Sequence, residues 1–472
     1  MPSWNLDITA GDFFIDFAWI GLLLCLAILL RNKIALFQRN LIPANLIAGA
    51  IGLAAGANGL DLIPLSTDRL GTYVYHLLAL LFIALALRTP QKKLGISSVK
   101  TGTVFIITYL IQALIGLAIA FALIYLFMPD LFAGIGLLPP LAFGMNPGVA
   151  YTFGQNWEQY GFESGGVVGL TFAAAGFLVA YTVGIWLIRR GIRRGEAAFL
   201  DAGHELSDEL RKGTIPRSER PSGGKQTTSP EIIESLSLHL GLVGVVYIIT
   251  YGLLRVIEAG MTFAGAEQEV HTLWSFHFVI ASILALSVRK VLDNAGVADV
   301  IDDITMTRVS NLFMDFMIVA SVAAISLAVV MTYWIPLLLI SVTVALATWW
   351  VVRRLMYHAF RTYRLERFAS VFGNMTGTIQ SGLLLLRILD SGMKSPASFN
   401  LVYGSGFALI LGFPVLILVN APVYYFDDPN RGFFVIMMAL LFYLIMLLTG
   451  WRYLNNADKD EVTEEQKASD SG

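Results

Sequence analysis

Apolar runs long enough to cross a hydrocarbon core of roughly 30 Å recur along the chain, near 12–30, 72–88, 101–127, 165–188, 236–257, 271–288, 306–333, 335–352, 398–424 and 432–450. A shorter run at 42–57 opens with a proline at a helix start and is rich in small residues. Both features suit close helix packing, so it reads as a further span. Two stretches, 140–160 and 366–389, are too polar and too rich in glycine for plain spans, yet too apolar for loops. They read as re-entrant hairpins.

The two hairpins share a six-residue phrase, Phe143-Gly144-Met145-Asn146-Pro147-Gly148 and Phe372-Gly373-Asn374-Met375-Thr376-Gly377. Paired apolar segments broken by Gly or Pro at corresponding places in two halves are the sequence pointer to a substrate site at the midplane of a secondary carrier. Orientation follows the placement of Lys and Arg. An outside N-terminus puts Arg31, Lys33 and Arg39 inside, then Arg88, Lys92, Lys93 and Lys100, the Arg189 to Arg194 cluster, Arg289 with Lys290, and the group from Arg353 to Arg367. Met1 to Asp16 has no basic residue and three aspartates, so the first span is expected to be retained rather than cleaved as a signal peptide.

The pattern therefore predicts an all-α polytopic membrane protein: two inverted-topology repeats of five transmembrane helices, each with a re-entrant hairpin, plus one extra C-terminal helix. The first repeat covers 1–194 and the second 236–427. Between them, 195–235 is rich in Gly, Ser, Pro and charge and reads as a flexible cytoplasmic linker. The remainder, 428–472, holds the extra span and returns an acidic tail, Asp458 to Asp470, to the cytoplasm. Composition agrees: 56% of residues are hydrophobic and 14% charged, against about 25% charged in soluble domains, and the mean hydropathy is +0.69. The single cysteine, Cys25, excludes a disulfide framework or a cysteine metal site within one chain. A net charge of −2 says little about partners, and nothing points to nucleic acid.

Backbone that leaves a helix inside a membrane needs protein or a watery cavity to satisfy it. Glycine allows the turn and the close approach of a ligand. Half-helix N-termini offer N–H groups and a positive dipole end to an anion, and freed carbonyls with hydroxyls suit Na⁺. The candidates in the first hairpin are Asn146, Tyr151, Thr152 and Gln155, with Gly144 and Gly148 shaping the turn. Those in the second are Asn374, Thr376, Thr378, Gln380 and Ser381, with Gly373 and Gly377. The second set is richer in hydroxyls, so Thr376, Thr378 and Ser381 are the candidate Na⁺ ligands. The bland alternative is that these residues only cap and satisfy the turns.

Other intramembrane polar groups are candidates by default. Asp315 could pair with a cation or carry a proton, or lie near the interface and be solvated. Asn420, behind Pro414, could line the cavity or serve as a packing amide. Arg387 and Asp390, three apart, read as a pair with each other. No enzyme signature is present: there is no Walker loop, and His204, His239, His271 and His277 lack metal-ligand spacing. No cofactor is implied beyond the coupling ion.

The Ile42-Pro43-Ala44-Asn45-Leu46-Ile47-Ala48-Gly49 segment, the glycine-bearing hairpin followed by Tyr160-Gly161-Phe162, and the second hairpin followed by Pro414 to Asn420-Ala421 resemble the sodium/glutamate symporters of bacteria. The resemblance covers about residues 15 to 425. It implies two inverted repeats of five spans plus a hairpin, a homodimer in the cytoplasmic membrane, and Na⁺-coupled uptake of glutamate or a similar small anion by alternating access. Hairpins of that family are denser in glycine than Gly144 to Tyr151, and its C-terminus is expected outside. Two other readings stay open: an H⁺-coupled organic-anion transporter using Asp315, and a non-transporting sensor or scaffold that keeps the fold and binds a partner through its basic inner loops and tail.

Overall fold

The computed structural model describes residues 10–89, 95–200, 223–265 and 270–469. Of the linker expected at 195–235, residues 201–222 lie outside the described residues. Among the described residues all regular structure is helical. The first half comprises α1 (Ala10–Lys33), α2 (Ala35–Arg39), α3 (Ala44–Ala55), α4 (Thr67–Ala86), α5 (Ile96–Leu126), a 3₁₀ turn (Ala133–Leu137), a π segment (Pro140–Met145), α6 (Pro147–Glu158), α7 (Gly165–Val179), a second π segment (Ala180–Gly184) and α8 (Ile185–Arg193). The second half comprises α9 (Ser235–Phe263), α10 (Val270–Ser275), α11 (His277–Asn294), α12 (Asp303–Ala323), α13 (Leu327–Thr332), α14 (Trp334–Ala359), α15 (Arg364–Met375), α16 (Ile379–Leu389) and α17 (Ala397–Tyr425), with α18 (Pro429–Ser469) at the end.

Nine stretches among the described residues are helical, long and apolar enough to cross a membrane: 11–33, 67–86, 96–126, 165–193, 235–263, 303–323, 334–359, 397–425 and 429–452. Large apolar side chains such as Phe14, Ile248, Val256 and Phe442 stand at the surface, as lipid-facing helices require and soluble monomers avoid. The chain is a multi-pass, all-α membrane protein. Burial differs sharply between spans: 67% of the apolar window of α5 is inside the protein but only 22% of that of α1 or α9. So α5 is a central helix, and α1 and α9 face outward.

Two expected spans differ from the nine. The run at 42–57 forms only the 12 residues of α3, about 18 Å of helix. The run at 271–288 is divided at Phe276 into α10 and α11, and α11 carries Arg289, Lys290 and Asp293 within its helical length. In both halves it is the second element that falls short. The expected span at 306–333 likewise ends at Ala323, and α13 follows separately.

Side-chain pairs give the helix directions. Arg69 at the start of α4 holds Asp16 near the start of α1 through Nε and Nη2, at 2.9 and 3.0 Å, while Tyr73 donates to the same carboxylate at 3.1 Å. Thus the chain returns along α3 to the level at which α1 began; Arg31 bonds the Ile42 carbonyl and Leu23 meets Gly52, so α3 runs against α1. In the second half the Asp302 N–H donates to His239 Nε2 at 2.8 Å, tying the start of α12 to the start of α9. Asn45 meets Asp315, Gly49 meets Val322 and Gly52 meets Ala323, so α3 and α12 run the same way. Ser98 meets Asn400 and Gly102 meets Gly404, so α5 and α17 also run the same way.

The Asp16 carboxylate is fully buried. Replacing Arg69 by Met leaves that charge without its cation, and breaking a buried pair from one side costs roughly 3 kcal/mol. A marked fall in the detergent melting temperature is expected for Arg69→Met, largely recovered when Asp16→Leu is added. Equal melting of the single variant and the native chain would show that the pair contributes nothing.

Candidate functional site

Both repeated phrases fall where a helix breaks. At the first, the π segment ends at Met145, and Asn146 is extended (φ −174°, ψ 166°) before α6 starts on Pro147. Proline fits the first helical position because its missing N–H has no helical acceptor there. Asn146 Oδ1 accepts from the Val149 N–H at 2.9 Å and caps α6. At the second, α15 ends at Met375 and α16 starts at Ile379, with Thr378 Oγ1 accepting from the Ser381 N–H at 3.5 Å. Both connections bring a capped helix N-terminus into the interior of the protein.

One central helix secures both breaks. Tyr109 of α5 donates its hydroxyl to the Gly144 carbonyl at 2.7 Å. Three residues on, Gln112 Nε2 donates to the Met375 carbonyl at 3.0 Å and to Thr348 Oγ1 of α14 at 2.8 Å. These are the carbonyls freed where each helix stops, and burying them without a donor would cost about 1–3 kcal/mol apiece. The breaks are neighbours: a Cβ built on Gly176 of α7 would lie 2.7 Å from the Thr376 carbonyl and 2.9 Å from Phe143. Glycines make the approach possible elsewhere too. A Cβ at Gly144 would lie 2.0 Å from the Tyr109 ring, and one at Gly373 would lie 2.8 Å from Gly382 Cα, where α15 and α16 touch.

Beside the second break lies a polar group drawn from four elements. Asp315 sits about halfway along α12 and is half-buried. It accepts from Asn45 Nδ2 of α3 at 2.8 Å, while Asn45 Oδ1 takes the Leu46 N–H. Tyr181, in the π segment after α7, exchanges a hydrogen bond with Ser381 Oγ at 2.7 Å and lies close enough to Asp315 to interact electrostatically. Gln380 reaches Asn311, on the same helix as Asp315, at 2.8 Å. A π bulge turns side chains out of the ordinary helical register and is frequent at functional sites; here the segment carries Tyr181, whose hydroxyl meets Ser381 beside the second break.

Of the expected site residues, Asn146, Gly144, Gly148, Asn374, Thr376, Gly377, Thr378 and Ser381 lie at or beside the breaks and are buried. Gly148 packs on Leu78 and Met317. The hydroxyls of Thr152 and Thr376 donate to the carbonyls four residues earlier, of Gly148 and Phe372. As donors they keep lone pairs that a cation can use. Tyr151 fills a slot formed by Gly71 and Gly166. Gln155 is exposed, nine residues along α6 from the break, about 13 Å of helix. Asn420 accepts from the Trp157 indole at 2.8 Å, which makes it a packing amide near the far end of α6. The expected Arg387–Asp390 pair is replaced: the Asp390 carboxylate takes the N–H groups of Lys394 and Ser395 at 2.9 and 2.7 Å. Among the described residues no group of three or more His, Cys, Asp or Glu is placed to hold a metal ion.

Sequence reasoning passed over Tyr109, Gln112, Tyr181, Asn311 and Thr348. The one available signal was a lone amide, Gln112, inside the apolar run at 101–127. Asn45 stood within the Ile42 to Gly49 segment without being assigned a role. Comparison with protein-family models, curated proteins and solved structures finds no match for this chain.

Proposed function

We propose that this protein is a secondary transporter of the cytoplasmic membrane that couples Na⁺ to the uptake of glutamate or a similar small anion, as a divergent homodimeric relative of the bacterial sodium/glutamate symporters. The observation that carries the reading is the pair of neighbouring helix breaks, both held by Tyr109 and Gln112 of one central helix, beside the Asn45, Asp315, Tyr181 and Ser381 group. A carboxylate is recognised by the first-turn N–H groups that the caps do not take, those of Ile379 and Gln380 in α16 and of Gly148 in α6, at the positive dipole ends. Na⁺ is recognised by oxygen: the hydroxyls of Thr376, Thr378 and Ser381 with the main-chain carbonyls around them.

The inverted-repeat architecture is supported by the helix directions. Because α3 runs against α1, and α4 starts level with α1, α3 also runs against α4. As α12 follows α3, the corresponding helices α4 and α12 point opposite ways. This reading requires the short second element of each half to carry the chain across. In a Cys25→Ser background, Gln226→Cys is then labelled by a membrane-impermeant thiol reagent only from the cytoplasmic side, and Asp130→Cys only from outside. Labelling of both from one side would remove the inverted topology.

Uptake of radiolabelled glutamate into proteoliposomes, with an inward Na⁺ gradient against K⁺ or choline on both sides, tests the function. Accumulation that needs Na⁺ and falls about tenfold or more in Thr376→Ala/Ser381→Ala, the loss of roughly one charge-assisted contact, is expected. No uptake of any small acid under any cation gradient would sink the proposal.

One observation favours H⁺ as the coupling ion instead. Asp315 lies mid-helix in a candidate span with the neutral amide of Asn45 as its hydrogen-bond donor, an environment in which a carboxylate can take up and release a proton.

A further inference from the structure

Away from the breaks, a groove of about 650 Å³ runs between α7 and α8 on one side and α14 on the other. Most of its length is apolar, lined by Leu178, Val183 and Trp186 on one wall and Leu338, Val342 and Leu346 on the other. One end is different: Arg190, Arg194 and Arg353 converge there with a single acid among the described residues, Glu196. The arginines meet because α8 and α14 run the same way, with Arg190 in α8, Arg194 just after it and Arg353 in the C-terminal third of α14. From Leu338 to Arg353 the wall is about 22 Å of helix, longer than half of a hydrocarbon core of roughly 30 Å.

Among the described residues the charge at the mouth is not balanced. Glu196 lies 3.4 Å from Arg353 and 3.9 Å from Arg194 and also accepts from Tyr357, while Arg190 stands over the Trp186 ring at 5.3 Å. Three guanidinium groups against one carboxylate leave an excess of two positive charges, and Arg190 and Arg194 are exposed. Guanidinium forks match phosphate oxygens two at a time. A soluble anion would use the arginines and leave the apolar walls bare. An uncharged hydrocarbon chain would use the walls and leave the arginines unused. Only an anionic amphiphile answers both halves of the groove.

We propose that this groove binds one anionic phospholipid, its phosphate on Arg190, Arg194 and Arg353 and an acyl chain along the walls of α7 and α14. The site is independent of the helix breaks and of the transport reading. The positive-inside pattern puts its basic end in the cytoplasmic leaflet, where anionic lipids attract juxtamembrane arginines.

Native mass spectrometry of the delipidated full-length protein, titrated with phosphatidylglycerol and phosphatidylcholine of equal chain length, tests this. The first phosphatidylglycerol should bind roughly 30-fold more tightly than the first phosphatidylcholine, the share of two arginines at a membrane surface. Arg190→Gln/Arg194→Gln should abolish that preference. Ala345→Trp, which fills the groove without touching its charge, should weaken the first binding of both lipids. Equal affinity for the two lipids, or an unchanged first phosphatidylglycerol in both variants, would overturn the proposal. So would competition by inorganic phosphate at equal concentration, which marks an anion site without a lipid, or release of the first lipid on dimerisation, which marks the groove as a contact between copies. Melting temperature in the same detergent establishes that each variant is folded.

Discussion

Asp315→Asn is expected to lower gradient-driven uptake by roughly 10- to 100-fold, the equivalent of about 1.5–3 kcal/mol for an interaction with a charged group, while leaving the protein folded. The substitution keeps the shape of the side chain, and its Oδ1 can still accept from Asn45 Nδ2, so the packing of α3 on α12 survives. What it removes is the charge and the proton site beside Tyr181 and Ser381. Uptake driven by a pH gradient and by a Na⁺ gradient, measured side by side with substrate exchange at equilibrium, separates the two coupling ions. Loss of pH-driven uptake with intact exchange marks Asp315 as the proton carrier. Loss of the Na⁺ dependence alone assigns it to the cation. Native rates in all three assays would remove Asp315 from the coupling machinery, and unchanged melting is the control for folding.

The second large effect is expected for Gly144→Ala. The added methyl would lie 2.0 and 2.5 Å from Tyr109 Cε1 and Cδ1, well inside van der Waals contact. Tyr109 cannot simply turn away, because its hydroxyl is bonded to the Gly144 carbonyl of the same break. Either the ring moves and the carbonyl loses its donor, at about 1–3 kcal/mol, or the break moves and strain of similar size appears. Both disturb the cap on α6. A fall of several degrees in melting temperature with near-complete loss of uptake should follow. Tyr109→Phe separates the terms, because it keeps the ring and removes only the hydroxyl; its cost should be the smaller. If Gly144→Ala melts and transports like the native chain, the first break is not held as described.

Both positions lay within reach of the sequence to different degrees. Gly144 is inside the repeated phrase, and the proline three residues on marks the start of a new helix for a local reason: its missing N–H costs nothing at the first helical position. The first break falls at Asn146; the second, between Met375 and Ile379, has no proline and starts on the Thr378 cap, and both lie within the stretches expected to be hairpins. Tyr109 carried no such signal. Its acceptor is 35 residues away, and the acceptors of Gln112 are 236 and 263 residues away. A polar residue in an apolar helix has many possible partners, and only packing selects one.

The same distinction explains the second element of each half. Hydropathy sums over a window and does not record where a helix stops. It therefore joined α3 to its flanking turns, read α10 and α11 as one span, and left Arg289 at the end of a run when the guanidinium is buried and bonds the Leu87 carbonyl at 3.1 Å. The long Arg stem can be covered by its neighbours while its N–H groups are satisfied.

By itself, the sequence determined the class and where most of the long apolar helices lie. Composition required a bilayer, because so many apolar residues cannot be kept from water by a folded monomer, and two glycine-bearing, more polar stretches marked where helices break. The tertiary structure alone decided what faces the breaks. It brought Asn45 to Asp315 across 270 residues and Tyr181 to Ser381 across 200, and laid the arginines of α8 beside that of α14. The physical reason is range: chain stiffness, hydrogen-bond capacity and hydropathy act within a few residues, whereas the pairing of buried polar groups is settled by which helices pack together.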